Sequence, residues 1–189
     1  MFLRTQRLFL RPAWLEDAPE ITRAIGHEPV VRMLSRVPWP YHEEHARTWI
    51  DAARDPCLPN LLITLPEDGG RIVGCVGLHE EGERIEVGYW IAPTDWGQGY
   101  ATEALTGLLA LARLAGHQRI FSRHAVDNPA SGRVLRKAGF RPTGRASPFR
   151  SLGRATDGVA APEYALELAD VGPMKRAWTC PKAYSAVAA

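Results

Sequence analysis

The chain has 189 residues, of which 46% are hydrophobic and 23% are charged, as is ordinary for a folded globular domain. Its 23 basic and 21 acidic side chains leave a net charge of +2, which gives no argument for a nucleic-acid or membrane partner. A chain of this length has room for one domain with a sizeable core, and we expect that domain over residues 1–170.

The cysteines and the N-terminal region favour a cytoplasmic protein. Cys57, Cys75 and Cys180 have neither metal-like nor redox-motif spacing, and the simplest interpretation is that they are reduced and bind no metal. Arginines interrupt the short apolar stretch at the N-terminus, which lacks the layout of a signal peptide. No apolar run approaches the roughly 18 residues that a transmembrane helix needs.

The first half of the chain alternates between strand-like and helix-like segments. Residues 42–54 fit a helix because Ala46, Trp49 and Ile50 recur at three- and four-residue spacing. The residues EDGG, at 67–70, supply a hairpin turn between two apolar segments. The predicted elements are strands at 5–11, 61–65, 71–78 and 83–91, helices at 15–25 and 42–54, and a proline-stiffened loop at 37–41.

The second half contains the strongest helix signal. Apolar residues follow one face of residues 102–115, and Gly116 stands where a C-terminal cap belongs. A strand at 119–126, a helix at 129–138 closed by Gly139, and a last strand at 164–169 complete the pattern, while residues 171–189 show no clear periodicity. Strands and helices that interleave in this way predict an α/β layered domain with a mixed sheet.

The segment WGQGYATEAL, residues 96–105, places Gly97 and Gly99 at the start of that strong helix. Unpaired backbone N–H groups and the helix dipole make a helix start an anion site, best suited to phosphate. Glycine permits backbone angles that other residues avoid and leaves room for a ligand. The alternative is a glycine-containing loop that simply turns a strand into a helix.

The loop does not match the common nucleotide fingerprints. A Rossmann fingerprint needs Gly or Ala three residues after the second glycine, where this chain has Thr102, and no acidic residue stands near position 119. A Walker-type GxxxxGK[ST] sequence does not occur. Dinucleotides and nucleoside triphosphates are therefore disfavoured as ligands.

The segment DNPASGRVLRKAGF, residues 127–140, directly follows a predicted strand. Together with TQRLFLRP, IVGCVGL, IEVGYWIAP and WGQGYATEAL, in this order and spacing, it resembles the GNAT N-acetyltransferases, most closely their RimJ/RimL-like, ribosomal-protein-acetylating branch. The resemblance covers about residues 5–170 and leaves 171–189 as a C-terminal tail. It implies an α/β fold whose mixed, mostly antiparallel central sheet is splayed between two central strands and flanked by about four helices.

The resemblance also implies acetyl-CoA as the donor and a primary amine as the acceptor. The family's phosphate-loop pattern of Arg or Gln, two residues, Gly, one residue, and Gly or Ala falls on Trp96, Gly99 and Ala101. Trp96 departs from it, so phosphate binding should depend on backbone N–H groups while Trp96 packs the loop down. The expected cofactor residues are Trp90 and Ile91, through backbone contacts with pantetheine, and Trp96, Gly97, Gln98, Gly99, Tyr100, Ala101 and Thr102.

Asn128 and Ser131 open the helix predicted at 129–138. Asn128 followed by proline is a strong N-cap, and the resemblance adds a contact with CoA that a cap residue can also make. Ser131 is either satisfied locally in the first turn or, as the resemblance implies, lies near the thioester sulfur. Many GNAT enzymes protonate the leaving thiolate with a tyrosine one turn later, where this chain has Leu135, so Ser131 is the candidate general acid.

Glu86 is the candidate general base, because an amine must lose a proton before it attacks a thioester. Burial beside the donor would raise its pKa toward a useful range, whereas the alternative role is a structural ion pair with an arginine. His124 could serve instead, directly or through a water, although a strand histidine is more often structural. On the strand, Ile85, Val87, Tyr89 and Ile91 should share one face, and Glu86, Gly88 and Trp90 the other.

Two classes of function remain open from the sequence. One is an N-acetyltransferase that joins amine and thioester directly in a ternary complex, and the other is a non-catalytic acyl-CoA-binding module of the same fold. The acceptor is a protein N-terminus, such as that of a ribosomal protein, or a small amine. Arg150 and Arg154, in a predicted loop at 147–162, hint at an acidic group on the acceptor. We expect a monomer or homodimer.

Overall fold

The computed structural model describes residues 1–52, 55, 57–154 and 158–168. The predicted tail at 171–189 lies outside these residues, as do the last two residues of the helix predicted at 42–54 and the last residue of the strand predicted at 164–169. Within the described ranges, no helix combines the length and apolar character needed to cross a bilayer.

The described residues form eight strands and five α-helices that interleave along the chain. The strands are β1 (Leu3–Arg4), β2 (Phe9–Arg11), β3 (Asn60–Leu65), β4 (Arg71–Glu81), β5 (Arg84–Ile91), β6 (Arg119–Arg123), β7 (Arg141–Phe149) and β8 (Val159–Glu167). The helices are α1 (Ala18–Ile25), α2 (Glu28–Val31), α3 (Glu43–Asp51), α4 (Tyr100–Leu114) and α5 (Pro129–Lys137).

The strands form one sheet in the order β1-β2-β3-β4-β5-β6-β8-β7. Neighbouring strands are antiparallel except β5 and β6, which are parallel. β5 pairs with β4 along its whole length, but among the described residues it pairs with β6 at one position, Glu86 opposite Phe121. The sheet therefore splays between two central strands, as the sequence predicts, and we call this divergence of β5 from β6 the seam.

Helices cover both faces of the sheet. On one face, α4 and α5 pack over a core that includes Val87, Ile91, Leu105, Leu108 and Leu135, with Ile85 and Tyr89 packed against it. On the other face, α1 and α3 enclose Ile21, Ala46, Ile50, Leu62 and Cys75, with Trp90 packed against them. The two predicted faces of β5 are confirmed by this division, since its odd-numbered residues meet α4 and α5 and Trp90 meets α1 and α3.

Several element boundaries differ from the prediction. The strand predicted at 5–11 is broken by a turn in which the Thr5 N–H donates to the Leu8 carbonyl over 3.0 Å, so β1 and β2 are separate and pair with each other. The sequence did not predict α2 or β7. β7 contains Pro142 and Pro148, and it lies at the sheet edge, where the missing N–H of a proline is tolerated. The loop predicted at 147–162 is therefore partly strand.

The cysteines also differ from expectation. Cys57 is disulfide-bonded, so the prediction that all three cysteines are reduced is wrong at this position. Cys75 is buried in β4, where its thiol donates a hydrogen bond to the side-chain oxygen of Asn60 over 3.0 Å.

The N-terminus of α5 is capped as the sequence predicts. Asn128 Oδ1 accepts a hydrogen bond from the backbone N–H of Ser131 over 3.2 Å, and Pro129 occupies the first turn. The Asn128 N–H donates to the Ala125 carbonyl over 2.8 Å, which fixes the cap residue after β6. The cap therefore determines where α5 begins and how its first turn meets the seam.

Replacing Asn128 tests this cap. Asn128→Ala removes the oxygen that accepts from Ser131, so we expect the free energy of unfolding to fall by about 1 kcal/mol. For a domain of this size that loss lowers the melting temperature by roughly 2–4 °C in a thermal melt. Asn128→Ser keeps a capping oxygen and serves as the control, which should melt close to the wild type. Equal melting of Asn128→Ala and the wild type would contradict the cap.

Candidate active site

A cavity of about 780 Å³ opens at the seam. Its walls come from β5, the start of α4, the start of α5 and the segment around α2. The predicted site residues that line it are Glu86, Trp90, Ile91, Trp96, Gly97, Gly99, Tyr100, Ala101, Thr102, His124, Asn128 and Ser131. Gln98 is absent from this lining, and its carbonyl instead accepts a hydrogen bond from Arg7 Nη1 over 3.0 Å.

Gly97 and Gly99 shape the phosphate-loop candidate through their backbone angles. Both are left-handed, with φ of 78° and 81°, and Gly99 is the N-cap residue of α4. A Cβ atom at Gly97 would meet no atom within 4 Å, so packing does not require glycine there. Glycine is required by the left-handed backbone conformation and by the room that a ligand needs. Within the described residues, the N–H groups from Gly97 to Thr102 carry no hydrogen bond, which leaves them available to an anion.

Two ionic networks brace this loop. Glu103, in the first turn of α4, accepts hydrogen bonds from Thr5 Oγ1, Arg7 N–H and Arg7 Nε, each over 2.7 Å. Burial acts to raise the pKa of Glu103, but these hydrogen bonds outweigh it and hold the pKa below its ordinary value. Before the loop, Arg71 binds Asp95 through both Nη atoms over 2.9 Å, and these hydrogen bonds lower the pKa of Asp95.

Trp96 stands where the family pattern has Arg or Gln. Its half-exposed indole donates a hydrogen bond from Nε1 to the Ile91 carbonyl over 2.7 Å. Trp96 therefore ties the loop to the end of β5, as the sequence predicts, and offers no charge to a phosphate group.

The backbone of β5 presents alternate residues to the seam. Successive residues of a strand direct their N–H and C=O groups to opposite edges. The Ala92 N–H donates to the Val73 carbonyl of β4 over 2.8 Å, so the backbone groups of Trp90 also face β4, while those of Tyr89 and Ile91 face the seam. The backbone groups of Trp90, which the sequence analysis expected to contact pantetheine, are therefore directed to β4, and those of Tyr89 and Ile91 are directed to the seam.

Glu86 is buried at the closed end of the seam, with 8% exposure. Arg123 Nε and His79 Nε2 lie 3.4 Å and 4.0 Å from Glu86 Oε2, although Arg123 has a closer partner in Glu81, at 2.7 Å. Burial raises the pKa of Glu86, Arg123 acts to lower it, and Glu81 and Glu163 add to the rise. A buried carboxylate with a raised pKa, held only loosely by its arginine, has the properties of a general base.

His124 has the partners of a structural histidine. Its Nδ1 lies 2.9 Å from the Ala125 carbonyl, which can only accept, so Nδ1 carries the hydrogen. Its Nε2 lies 3.4 Å from the Tyr164 hydroxyl, which accepts from Arg136 Nη1 over 3.0 Å. Both ring nitrogens are therefore engaged. Among the described residues, no group of three or more His, Cys, Asp or Glu is arranged to hold a metal ion.

Ser131 meets a residue that the sequence analysis gave no role. Its Oγ lies 2.8 Å from the hydroxyl of Tyr89, which also donates to the Ser131 carbonyl over 3.1 Å. Burial raises the pKa of Tyr89 to about 12, although its hydrogen bond to Ser131 acts to lower it. Leu135, where many GNAT enzymes have a tyrosine, is fully buried in the core.

Sequence reasoning missed three residues of the site: Tyr89, Arg123 and Arg7. Tyr89 was placed on the correct face of its strand, and that face packs on α5, which was the available signal for a contact with Ser131. Arg7 and its partner Glu103 are 96 residues apart, so no local pattern relates them. Arg123 reaches Glu86 from the neighbouring strand, and strand pairing is not readable from sequence.

The wall formed by the segment around α2 and by Phe149 contains the apolar residues Val30, Met33 and Leu34, together with Arg32 and Ser35. Arg154 packs behind this wall and is committed to the protein. It binds Asp127 through both Nη atoms, over 3.0 and 2.9 Å, and donates from Nε to the Arg32 carbonyl over 2.6 Å. Arg150 is exposed and does not line the cavity. The hint that these arginines select an acidic acceptor is therefore wrong for Arg154 and has no support from Arg150.

Comparisons with known proteins agree with this geometry. Residues 7–141 match a family model described as an acetyltransferase (GNAT) domain. An uncharacterized N-acetyltransferase of Bacillus subtilis, YoaA, is 29% identical over an alignment of 161 residues that covers 75% of this chain and 84% of that protein.

Solved structures share the fold at lower identity. A GNAT-family acetyltransferase from Bacillus anthracis aligns with a TM-score of 0.73 and 23% identity, covering 88% of this chain and 98% of its own. RimL, a ribosomal L7/L12 alpha-N-protein acetyltransferase in complex with coenzyme A, aligns with a TM-score of 0.73 and 19% identity. The alignment covers 89% of this chain and 98% of the RimL chain. Because the family match spans more than half of the chain and runs through β5, the glycine loop and α5, the chain belongs to the GNAT family of acetyl-CoA-dependent acetyltransferases.

Proposed function

We propose that this protein transfers the acetyl group of acetyl-CoA to a primary amine by direct attack while both substrates are bound. The observation that carries the proposal is the cavity at the seam, which joins the free N–H groups of the glycine loop, the open edge of β5, Glu86 and Ser131. Aminolysis of a thioester needs an anion site for the cofactor, a base for the amine and a hydrogen-bond donor for the sulfur. All three lie in one cavity here.

The chain's own groups fit the cofactor. The N–H groups of residues 97–102 and the dipole of α4 hold the pyrophosphate, and the seam-facing backbone of Tyr89 and Ile91 pairs with the pantetheine amides. The Ile91 carbonyl already accepts from Trp96, so its N–H is the available group. Asn128 uses Oδ1 for the cap, and its Nδ2 has no hydrogen bond within the described residues, which leaves it for CoA.

The chemical roles follow from position and charge. Glu86 takes the proton of the amine, directly or through one water, because its raised pKa brings it closer to that of the acceptor. A backbone N–H near Ile91 polarises the thioester carbonyl. When the carbon–sulfur bond breaks, its electron pair stays on sulfur, and the Ser131 hydroxyl donates a hydrogen bond to the thiolate. A serine hydroxyl is a weak acid, so this hydrogen bond rather than full proton transfer is its contribution.

For the acceptor we propose the α-amino group of a protein N-terminus, with a small-molecule amine as the alternative. An α-amine has a pKa of about 8, against about 10.4 for lysine, so a carboxylate beside Arg123 deprotonates it more easily. The apolar residues Val30, Met33 and Phe149 of the cavity wall suit an uncharged side chain next to that amine. RimL, which shares the fold, is an alpha-N-protein acetyltransferase by its description, and this supports the assignment.

Thermal melts test the cofactor before any acceptor is known. A ligand that binds only the folded state stabilises it by about 2.7 kcal/mol at a hundredfold excess over Kd. For this chain length we expect acetyl-CoA and CoA each to raise the melting temperature by about 5–10 °C. NAD and ATP lack pantetheine and serve as matched controls that should shift it little. A shift with NAD and none with CoA would reverse the assignment of the loop.

The brace at Glu103 gives a second prediction. Arg7→Met removes the side-chain hydrogen bonds to Glu103 and to the Gln98 carbonyl, so the glycine loop is less well ordered for the pyrophosphate. We expect the Kd for acetyl-CoA, measured by calorimetric titration, to rise about fivefold, as for a partly exposed ion pair. Arg47→Met removes an exposed arginine that pairs with Glu43 on α3, and its affinity should equal that of the wild type. Equal affinities of all three proteins would exclude the brace.

The variant Glu86→Gln tests whether Glu86 acts as the general base or only forms a structural ion pair. As a general base, Glu86 contributes about 100-fold or more to turnover, and the variant should lose that factor while still binding acetyl-CoA. The thiol released from acetyl-CoA measures turnover, with short N-terminal peptides and alkylamines as acceptors. Glu167→Gln, which removes an exposed partner of Arg119, is the control and should keep full turnover. Normal turnover in Glu86→Gln would remove Glu86 from the mechanism.

The same variant has a predicted stability profile. The folded pKa of Glu86 is raised above its unfolded value, so its favourable contribution is present at low pH and is lost as the pH rises through the folded pKa. We therefore expect Glu86→Gln, whose side chain stays neutral, to gain stability relative to the wild type when the pH is raised from about 4 to 8. Denaturant unfolding at both pH values measures this. A structural ion pair predicts the opposite trend.

A further inference from the structure

We propose that Tyr89 is a positioning residue that directs the Ser131 hydroxyl toward the cofactor sulfur, an inference that rests on the proposed function. Tyr89 projects from β5 and Ser131 from the first turn of α5, and both line the cavity. The Tyr89 hydroxyl lies 2.8 Å from Ser131 Oγ and 3.1 Å from the Ser131 carbonyl. This contact joins β5 to the first turn of α5, at the place proposed for the thioester.

The two hydroxyls carry one hydrogen each, so two arrangements satisfy these distances. In the first, Tyr89 donates to the Ser131 carbonyl and Ser131 donates to the Tyr89 oxygen, which uses the serine hydrogen within the pair. In the second, Tyr89 donates to Ser131 Oγ, and the serine hydrogen is free to point into the cavity. A negatively charged sulfur in the cavity attracts that hydrogen and therefore selects the second arrangement.

Tyr89 is suited to this role because it remains a donor. Burial raises the pKa of its phenol to about 12, so the hydroxyl keeps its hydrogen at any working pH. Tyr89 loses no proton in this role, and the change is a rotation of two hydroxyl hydrogens. Its hydrogen bond to Oγ polarises the serine O–H, which strengthens the hydrogen bond to sulfur. The tyrosine ring packs against the core, so Tyr89→Phe removes the hydroxyl and keeps the packing.

The pKa of the CoA thiol, measured on the enzyme with CoA as the probe, tests the inference without an acceptor. Thiolate absorbance is followed against pH for the wild type, Tyr89→Phe, Ser131→Ala and the double variant, each after subtraction of the CoA-free protein. A net hydrogen bond of ordinary strength shifts a pKa by roughly half a unit or more. We expect the bound thiol pKa to rise by about this amount in each single variant, and no further in the double variant.

Tyr164→Phe is the matched control. It removes a buried hydroxyl that contacts His124 and Arg136 but does not line the cavity, so the thiol pKa should stay at the wild-type value. Turnover with a tripeptide amide that has a free N-terminal alanine gives a second readout. We expect Tyr89→Phe to lower kcat about fivefold, the equivalent of one ordinary hydrogen bond, with KM for acetyl-CoA unchanged and no effect on a Ser131→Ala background.

The outcomes are distinct. A thiol pKa in Tyr89→Phe equal to that of the wild type overturns the inference while CoA binding, and with it the proposed function, stands. Additive shifts in the double variant also overturn it, because Tyr89 would then act independently of Ser131. The inference is supported if the thiol pKa rises in Ser131→Ala, rises by the same amount in Tyr89→Phe, and rises no further in the double variant. Failure of all four proteins to bind CoA would end the proposed function and this inference together.

Discussion

The edge of β5 that faces the seam, which has a strand partner at one position among the described residues, is the constraint on which the active site depends. Each central strand pairs along its length with its outer neighbour: β5 pairs with β4 from Arg84 to Ile91, and β6 pairs with β8 from Arg119 to Arg123. An ion pair of 2.7 Å between Arg84 and Glu163 crosses the seam at its closed end. Past Glu86 the strands diverge, and backbone N–H and C=O groups removed from bulk water must find other partners. The fold thereby creates a site for an extended, amide-containing ligand before any side chain is considered.

The polar groups are distributed along the seam according to its depth. Glu86 lies at the branch point, where β5 and β6 pair, and its burial there is why its pKa rises although Arg123 is near. Ser131 and Tyr89 lie further along, where the first turn of α5 approaches β5. The glycine loop lies past the end of β5. A single geometric cause, the divergence of two strands, therefore brings the proposed base, the proposed sulfur contact and the proposed phosphate site to one cavity.

Much of this could be predicted from sequence because it is local. The positive-φ glycines at 97 and 99, the Asn128 cap and the alternation along β5 each follow from a few neighbouring residues. Contacts between distant segments could not be predicted in the same way. The brace between Arg7 and Glu103 joins positions 96 residues apart, and the backbone direction of Trp90 depends on which residues of β4 pair with it. Strand β7 was missed because its prolines are acceptable only at a sheet edge, and the sheet order is itself non-local.

The two departures from the family pattern can be understood from the same seam. Trp96 brings no charge to the phosphate loop, but its indole satisfies the Ile91 carbonyl, which would otherwise face the seam without a protein partner. Leu135 has no phenol, but Tyr89 of β5 places one in contact with Ser131. A tyrosine at 135 would place its ring where Leu135 fills the core beneath α5. In both cases a residue of β5, Ile91 or Tyr89, is involved where the family pattern uses a residue of the phosphate loop or of α5. The strand that diverges from its neighbour β6 is therefore also the element around which the proposed chemistry is organised.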